Sequence, residues 1–253
     1  MTKTDQNPPR QTQLRDSKPV AVITGASAGL GLELARELAG RGWRLVLTAR
    51  GAERLERAAA ELGELTEVTA LPGSVVDDDH RAELAHAAAE FGGADLLVNN
   101  ASTLVGFDLE GEAMPTLAQF PLVGLLETFE VNVLGPLALT QLVLPQLRRK
   151  QGRIINVSSD AAAEAYPGWG GYGASKAALD HASAILALEE PALTVWSVDP
   201  GDMNTQMHDD AEPGVDHSDL PHPADVTPAF IRLLETSPAS GRYLATELLK
   251  EEV

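Results

Sequence analysis

Residues 20–31 read Val20-Ala21-Val22-Ile23-Thr24-Gly25-Ala26-Ser27-Ala28-Gly29-Leu30-Gly31. A short run of mostly β-branched residues leads here into a glycine-rich turn, and helical periodicity follows. Gly25 permits the tight turn, Gly29 lets the backbone approach a pyrophosphate, and Gly31 permits close packing of helix on sheet. Because the amino end of a helix attracts phosphate groups, the stretch predicts the first strand, loop and helix of a dinucleotide-binding fold.

Short β-rich runs alternate with longer helical patterns along the rest of the chain. The predicted strands are Val20–Thr24, Arg44–Thr48, Glu67–Leu71, Asp95–Val98, Arg153–Val157 and Thr194–Val198. The predicted helices are Gly31–Ala39, Ala52–Leu62, Asp78–Phe91, a long pattern from about Leu117 to Arg149, and Tyr172–Leu188. This alternation predicts a doubly wound, Rossmann-type α/β fold, a parallel sheet with helices on both faces. Pro136 and Pro145 are expected to bend or break the long helical pattern.

The chain has 253 residues, of which 44% are hydrophobic, enough for one α/β domain over residues 19–253. Residues 1–18 are polar and contain proline, which favours a disordered tail. This tail has no apolar segment of signal-peptide length, and the later sequence is not expected to contain the ~18–20 apolar residues of a spanning helix. We therefore expect a cytoplasmic protein without a membrane partner.

Charge and cysteine content exclude further classes. With 37 acidic and 19 basic residues the net charge is −18, which repels phosphate backbones and argues against binding to nucleic acid or anionic membranes. The chain has no cysteine, so a disulfide framework and a thiolate metal site are impossible.

The pair Tyr172 and Lys176 has the spacing that places two side chains on one face of a helix. Ser159 lies thirteen residues before the tyrosine, at the end of a predicted strand, and is favoured over Ser158 because of that separation. Carbonyl reduction needs a hydride donor, an acid and a hydrogen-bond donor to the carbonyl oxygen. The trio predicts Tyr172 as the acid, Ser159 as the orienting donor, and Lys176 as the charge that lowers the pKa of the tyrosine.

These motifs together make the chain similar to the classical short-chain dehydrogenase/reductase family over about residues 19–246. The resemblance rests on the glycine motif, Asn99-Asn100-Ala101, Asn132, Ser159, Tyr172 with Lys176, and Pro200-Gly201 leading to Thr205. It implies that Lys176 also holds the nicotinamide ribose and that Asn132 completes a water-linked proton relay. Asn132 would thus join Ser159, Tyr172 and Lys176 as a catalytic residue.

The residue after the second strand tells the two nicotinamide cofactors apart, because a carboxylate there would repel a 2′-phosphate. Here the strand ends in Ala49-Arg50, and Arg50 is suited to hold that phosphate, so NADP(H) is favoured over NAD(H). The expected cofactor-binding residues are Gly25, Ser27, Ala28, Gly29, Leu30, Gly31, Arg50, Ser74, Val75, Asn99, Ala101, Tyr172, Lys176, Pro200, Gly201, Met203 and Thr205. Ser74 and Ser102 depart from the family pattern, which has aspartate and glycine at these two positions.

The substrate is expected to be a small carbonyl compound or alcohol, held by Ser159, Trp169, Tyr172 and Met207. Two long connections, Ser102 to Leu117 and Thr205 to Val226, are expected to cover it, the second as a lid. Gly168-Trp169 and Ser240-Gly241 look like the sepiapterin-reductase-like branch of the family. Ala245 stands near the position where that branch has an acidic pterin anchor, so a ketone, aldehyde or diketone is the broader expectation.

The lid also carries a group of histidines and aspartates: His208, His217 and His222 lie among Asp209, Asp210, Asp216 and Asp219. Their spacing matches no compact ligand pattern, so no metal site is predicted.

Two other functions remain open on the same fold. One is a non-redox lyase or cyclase that uses the tyrosine as an acid, and the other is an NADP(H)-sensing binding protein without turnover. The resemblance further implies a homodimer, or a homotetramer, through the helices around Leu117–Arg149 and Tyr172–Leu188.

Overall fold

The computed structural model describes residues 18–104, 114–212 and 214–250. In these residues seven parallel strands form one sheet in the order β3-β2-β1-β4-β5-β6-β7. The strands are β1 Val20–Thr24, β2 Arg44–Ala49, β3 Val68–Pro72, β4 Leu96–Asn99, β5 Arg153–Val157, β6 Thr194–Asp199 and β7 Gly241–Leu244. The predicted doubly wound α/β fold is confirmed, whereas the predicted tail at residues 1–18 lies almost wholly outside the described residues.

Helices cover both faces of the sheet. They are α1 Gly29–Gly40, α2 Ala52–Gly63, α3 Asp78–Glu90, α4 Leu122–Phe129, α5 Gly135–Lys150, α6 Gly170–Glu189, α7 Gln206–Ala211, α8 Pro223–Thr236 and α9 Ala245–Leu248. Successive strand residues point to opposite faces, so Ala21 and Ile23 pack with α1 and α8 while Val20 and Val22 pack with α3 and α5. Two apolar cores on one sheet explain why the strands read as nearly continuous apolar runs.

Strand β7 was missed by the sequence patterns, which predicted six strands. Its four residues, Gly241–Leu244, are exposed or half-buried, and they lie at the edge of the sheet beside β6. A short edge strand has little of the apolar run or alternation by which strands are predicted.

The long helical pattern is interrupted, but not at the two prolines. A π-helical turn, Glu130–Leu134, separates α4 from α5. Pro136 lies in the first turn of α5, where its missing N–H costs nothing, and Pro145 lies inside α5 without ending it. The prediction of a break at Pro136 or Pro145 is therefore wrong, because an extra residue in one turn breaks the regularity instead.

From Leu122 to Lys150 these three segments form one helix of 29 residues that is long and apolar enough to cross a membrane, contrary to the prediction that no run qualifies. Core helices of soluble proteins meet the same criterion. This helix contributes Leu139, Val143 and Leu147 to the core beneath the sheet, which explains part of its apolar character, while Leu126 and Leu134 are exposed.

Candidate active site

The order of the strands reverses between β1 and β4, and ligands of such sheets bind beyond the carboxyl ends of the strands at that point. A cavity of about 1280 Å³ lies there, lined by the segments that follow β1 to β6. Its volume exceeds the ~300–1,000 Å³ of ordinary small-molecule pockets, so it offers room for a dinucleotide together with a substrate.

The glycine-rich loop has the geometry for a pyrophosphate. Gly25 and Gly29 have φ values of 67° and 55°, in the left-handed region that side chains disfavour. The nearest atom to a Cβ added at Gly29 would be the Thr205 methyl carbon, at 3.8 Å. Among the described residues, no side chain therefore covers the backbone of Gly29 on the side that faces the cavity. Helix α1 starts after Ala28, whose side chain cannot cap it, and its free N–H groups are available to an anion. The residues present therefore fit a dinucleotide.

Asn100 and Thr24 hold this loop in place, a role that the sequence patterns missed. The Asn100 side chain donates to the carbonyl oxygens of Thr24 and Gly25, at 2.9 and 3.2 Å. The Thr24 hydroxyl accepts from the backbone N–H groups of Asn100 and Ala101, at 3.0 and 2.9 Å. The loop after β4 is thus fastened to the loop after β1.

Two arginines lie at the part of the cavity that follows β2. Arg50 and Arg54 both line it, together with Ser74 and Val75. Within the described residues neither guanidinium has an ion-pair partner. Arg54 was not predicted, although it lies four residues after Arg50. In a chain of net charge −18, two unpaired cations at one point make a local anion site.

The catalytic trio meets at the other part of the cavity. Tyr172 and Lys176 lie on α6 and Ser159 follows β5, and all three line the cavity. The Lys176 ammonium lies 5.4 Å from the centre of the Tyr172 ring and donates to the Val157 carbonyl at 2.7 Å. Ser158, the competing serine, instead donates to Asp180 at 2.7 Å and therefore supports the loop.

The pKa of Tyr172 differs in direction from the prediction. Burial of the phenol raises its pKa above the ordinary value, and hydrogen bonding to Ser159 and Ser102 opposes that rise without reversing it. Burial also lowers the pKa of Lys176 to about 8, opposed by the carboxylate of Asp180. The expected lowering of the tyrosine pKa is wrong here because desolvation of the phenolate outweighs the two serine hydrogen bonds, and the charges of Asp160 and Asp199 act in the same direction as burial. Tyr172 holds its proton, as an acid must.

Asp160 is an acidic neighbour of the trio that the sequence patterns did not identify. The Ser159 hydroxyl donates to Asp160 Oδ1 at 2.9 Å and accepts from the Ala161 N–H at 3.1 Å, at the start of the 3₁₀ turn Asp160–Ala162. The negative charge of Asp160 also contributes to the raised pKa of Tyr172. Asp160 therefore fixes the rotamer of the serine and discourages ionisation of the phenol.

Asn132 lies in the π-helical turn, buried behind the trio rather than in the cavity wall. Its amide oxygen accepts from the Ser102 hydroxyl and the Thr103 N–H, at 3.1 and 2.8 Å. Its amide nitrogen donates to the Thr103 carbonyl and to the Ser175 hydroxyl, at 2.8 and 2.9 Å. The side chain is fully engaged in joining the loop after β4 to α6, so it has no free polar atom for the predicted water-linked relay.

An ion cluster supports the trio from behind. Arg242 on β7 donates to Asp180 of α6 at 3.1 Å, to Asp199 at the end of β6 at 3.0 Å, and to the Ser159 carbonyl at 2.9 Å. Asp199 in turn accepts from the Gly201 N–H at 2.9 Å. This cluster joins the segments that follow β5 and β6 to α6 and β7. It could not be predicted from the sequence because β7 was not predicted.

The substrate part of the cavity is bounded by Trp169, Met207 and α7. The rings of Trp169 and Tyr172 meet edge to face, with centroids 5.7 Å apart. The predicted lid contains α7 and leads into α8, where His222 caps the helix and its N–H donates to Asp225 at 3.1 Å. Most of the other predicted cover, Ser102 to Leu117, lies outside the described residues.

Most predicted site residues come together in this one cavity. It is lined by Gly25, Ser27, Ala28, Gly29, Leu30, Arg50, Ser74, Val75, Ala101, Ser159, Trp169, Tyr172, Lys176, Pro200, Gly201, Met203, Thr205 and Met207. Two predicted cofactor residues are not in its wall. The Asn99 side chain is buried and donates to Asn156 at 2.8 Å, and Gly31 packs so closely on the loop that an added Cβ would lie 2.5 Å from the Gly25 oxygen.

Residues 19–216 match the family described as short chain dehydrogenase. The chain belongs to the short-chain dehydrogenase family. It is 35% identical over 193 residues to serine 3-dehydrogenase of Agrobacterium fabrum, which covers 74% of this chain and 72% of that protein. The narrower resemblance to the sepiapterin-reductase-like branch stays a prediction.

Solved structures of this fold include complexes with either nicotinamide cofactor. One is an alcohol dehydrogenase of the archaeon Thermococcus sibiricus with 5-hydroxy-NADP (TM-score 0.79, 28% identity, covering 90% of this chain and 95% of that one). Another is a xylitol dehydrogenase with NAD⁺ (TM-score 0.69, 26% identity, covering 77% and 74%). This short-chain dehydrogenase chain therefore shares its fold with proteins that were crystallised with either cofactor.

Proposed function

We propose that this short-chain dehydrogenase interconverts a carbonyl compound and an alcohol, with NADP(H) as the cofactor. The observation that carries the proposal is the meeting of Ser159, Tyr172 and Lys176 in the same cavity as a bare glycine loop. A dinucleotide bound along that loop would supply or accept the hydride. The cofactors named for the two solved relatives support a nicotinamide, and the unpaired Arg50 and Arg54 favour the form with a 2′-phosphate.

Each residue of the trio has one task in the proposed reduction. The phenol of Tyr172 donates its proton to the carbonyl oxygen, on which negative charge develops. The Ser159 hydroxyl, whose proton goes to Asp160 Oδ1 in this structure, would turn that proton to the carbonyl oxygen of a bound substrate and orient it. Lys176 places a positive charge beside the phenolate that remains, and Asp180 favours the charged form of that lysine.

The two other functions make different demands on the cofactor. A lyase or cyclase would turn over substrate without net oxidation of the nucleotide, and a sensing protein would bind it without turnover. The presence of Ser159, Tyr172 and Lys176 together in the cavity supports an oxidoreductase function.

Absorbance of the reduced nicotinamide tests the proposal directly. Purified protein is given NADPH or NADH with a panel of ketones, aldehydes, diketones and pterins. We expect substrate-dependent oxidation of NADPH in preference to NADH. Tight binding of NADPH without oxidation across the panel would contradict the redox function, and faster oxidation of NADH would contradict the cofactor assignment alone.

The pKa of Lys176 predicts the alkaline limit of carbonyl reduction. Burial lowers that pKa from 10.5 to about 8, so the lysine loses its charge as the pH rises through this value. We expect kcat/KM to fall as the pH rises through about 8. In Asp180→Asn the carboxylate that raises the pKa of Lys176 is gone, so the fall should begin at lower pH. A profile that stays flat well above pH 8, or a limb that Asp180→Asn leaves in place, would refute this assignment.

We propose a homodimer, with a homotetramer as the alternative, and a cytoplasmic location. Apolar side chains are exposed on α4, α5 and α6, among them Leu126, Leu142 and Leu188. A second copy would cover them. Light scattering should give twice the mass of one chain, and Leu126→Lys with Leu142→Lys should reduce that mass. Leu65→Lys, at an exposed leucine beyond α2, is the matched control that leaves the mass unchanged. A double variant with the wild-type mass would place the interface elsewhere.

A further inference from the structure

The lid brings together two histidines and a glutamate that are not neighbours in sequence. His208 lies on α7, Glu212 follows its last turn, and His217 lies in the next loop, buried to all but 7% of its surface. The rings of the two histidines meet edge to face, with centroids 4.5 Å apart. One nitrogen or oxygen atom from each of the three residues lies within 4.8 Å of the other two. In the part of the chain that the structure describes, this is the one such cluster of potential metal ligands.

Both ring nitrogens of His217 face carboxylates. Its Nδ1 lies 3.1 Å from Asp209 Oδ1, and its Nε2 lies 3.3 Å from Glu212 Oε2. A neutral imidazole has one N–H and donates to only one of these oxygens. Its other nitrogen then presents a lone pair to a carboxylate, which is repulsive unless a proton or a metal ion lies between them. His208 Nε2 lies 3.9 Å from the same Glu212 oxygen, so a second ring nitrogen lies near the same place.

We propose that His208, Glu212 and His217 bind one divalent transition-metal ion, with Zn²⁺ as the ion best matched to the donor set. Two imidazoles and a carboxylate are usual zinc ligands. Asp209 supplies the outer partner that metal-bound histidines require, since it is placed to accept the Nδ1–H of His217 and so leaves Nε2 for the ion. Bond lengths of about 2.0–2.2 Å to the ion require the three ligands to draw together by roughly 1 Å from their present positions.

The proposed metal site lies partly in the wall of the cavity. His208, Asp209 and Glu212 line the cavity, whereas His217 belongs to the loop that leads to α8. An ion held by all three ligands joins that loop to α7 and stiffens the lid beside Met207. Three protein ligands leave a fourth tetrahedral position for water or for an oxygen atom of the substrate. This inference does not depend on the proposed reaction.

Zinc binding to the untagged, full-length protein tests the site. The protein is treated with chelator, desalted and titrated with Zn²⁺ alone by calorimetry, and with Co²⁺ by visible absorption. We expect one ion per chain and the d–d bands of a tetrahedral Co²⁺ site. His208→Ala, His217→Ala and Glu212→Gln should each weaken binding at least about tenfold, and Asp209→Asn should weaken it by about 10–100-fold through the outer contact.

His86→Ala is the matched control. His86 and Glu90 form another histidine–glutamate pair four residues apart on α3, with Nε2 and Oε1 3.6 Å apart, but they belong to no cluster of three ligands among the described residues. This substitution should leave the stoichiometry and affinity unchanged. Circular dichroism establishes that each variant is folded, and Glu212→Gln, at a side chain that is 46% exposed, is the variant least able to disturb the fold. No stoichiometric Zn²⁺ binding by the wild type, or binding that survives His208→Ala and Glu212→Gln, would overturn the proposal.

Discussion

Replacement of Tyr172 by phenylalanine should abolish carbonyl turnover while NADPH still binds. The phenylalanine ring keeps the packing against Trp169, whose ring centroid lies 5.7 Å from that of the tyrosine, but it has no proton to donate. Loss of a general acid typically costs about 10²–10⁴-fold in kcat. Burial raises the pKa of Tyr172, so the proton is present through the neutral range and the loss should not depend on pH there. Steady-state rates and fluorescence titration with NADPH measure the two effects separately.

Tyr166→Phe provides the control for this experiment. Tyr166 lines the same cavity, but it is exposed and its hydroxyl donates to Glu164 at 3.0 Å. Its loss leaves the phenol of Tyr172 in place, so kcat should fall far less than in Tyr172→Phe. Retained turnover in Tyr172→Phe, or an equal loss in Tyr166→Phe, would show that the acid is a different group.

Removal of Arg50, directly after β2, and of Arg54, in the first turn of α2, should erase the preference for NADPH. A hydrogen bond to a charged group contributes about 1.5–3 kcal/mol, so Arg50→Ala and Arg54→Ala should each weaken NADPH binding by about 10–100-fold. Binding of NADH, which has no 2′-phosphate, should stay within about twofold because neither substitution removes a group it needs. The ratio of kcat/KM for the two cofactors reports the change, and Arg50→Asp should carry it further by adding a repulsive charge.

Arg57→Ala is the matched control for the cofactor experiment. Arg57 lies on α2 one turn beyond Arg54 and is exposed, but it does not line the cavity. Arg57→Ala removes one unit of charge, as Arg50→Ala and Arg54→Ala do, from the helix that also carries Arg54. If Arg57→Ala lowers NADPH affinity as much as Arg50→Ala does, the effect comes from net charge and not from a phosphate site. If Arg50→Ala lowers NADH and NADPH binding equally, the arginines hold the loop and not the phosphate.

What could be predicted from the sequence was local. The strand, glycine loop and helix at residues 20–31 lie within one continuous segment, and four residues on a helix fix the approach of Lys176 to Tyr172. The motifs of the short-chain dehydrogenase family then predicted most of the residues named above as lining the cavity. The direction of the pKa shift of Tyr172 was wrong because the spacing of two residues reveals a neighbouring charge but not the burial of the phenol.

The features that were missed join distant parts of the chain. Arg242 meets Asp180 across 62 residues and Asp199 across 43, on a strand too short and exposed to be predicted. The lid cluster was missed for a related reason. The spacing of the histidines matches no ligand pattern because the fold, not the sequence, brings His217 close to α7. Glu212, which lies between the two histidines in the sequence, was not in the predicted group.

The position of Arg242 gives the outermost strand an unexpected importance. Edge strands are commonly the first part of a sheet to open, because one side has no neighbouring strand. If β7 opens, Arg242 moves away with it. Arg242 is the residue that binds the backbone oxygen of Ser159 and the carboxylates of Asp180 and Asp199. Fraying of four residues at the margin would release the reactive centre while the rest of the sheet stays folded. The protein should therefore lose its chemistry on warming before it loses its structure.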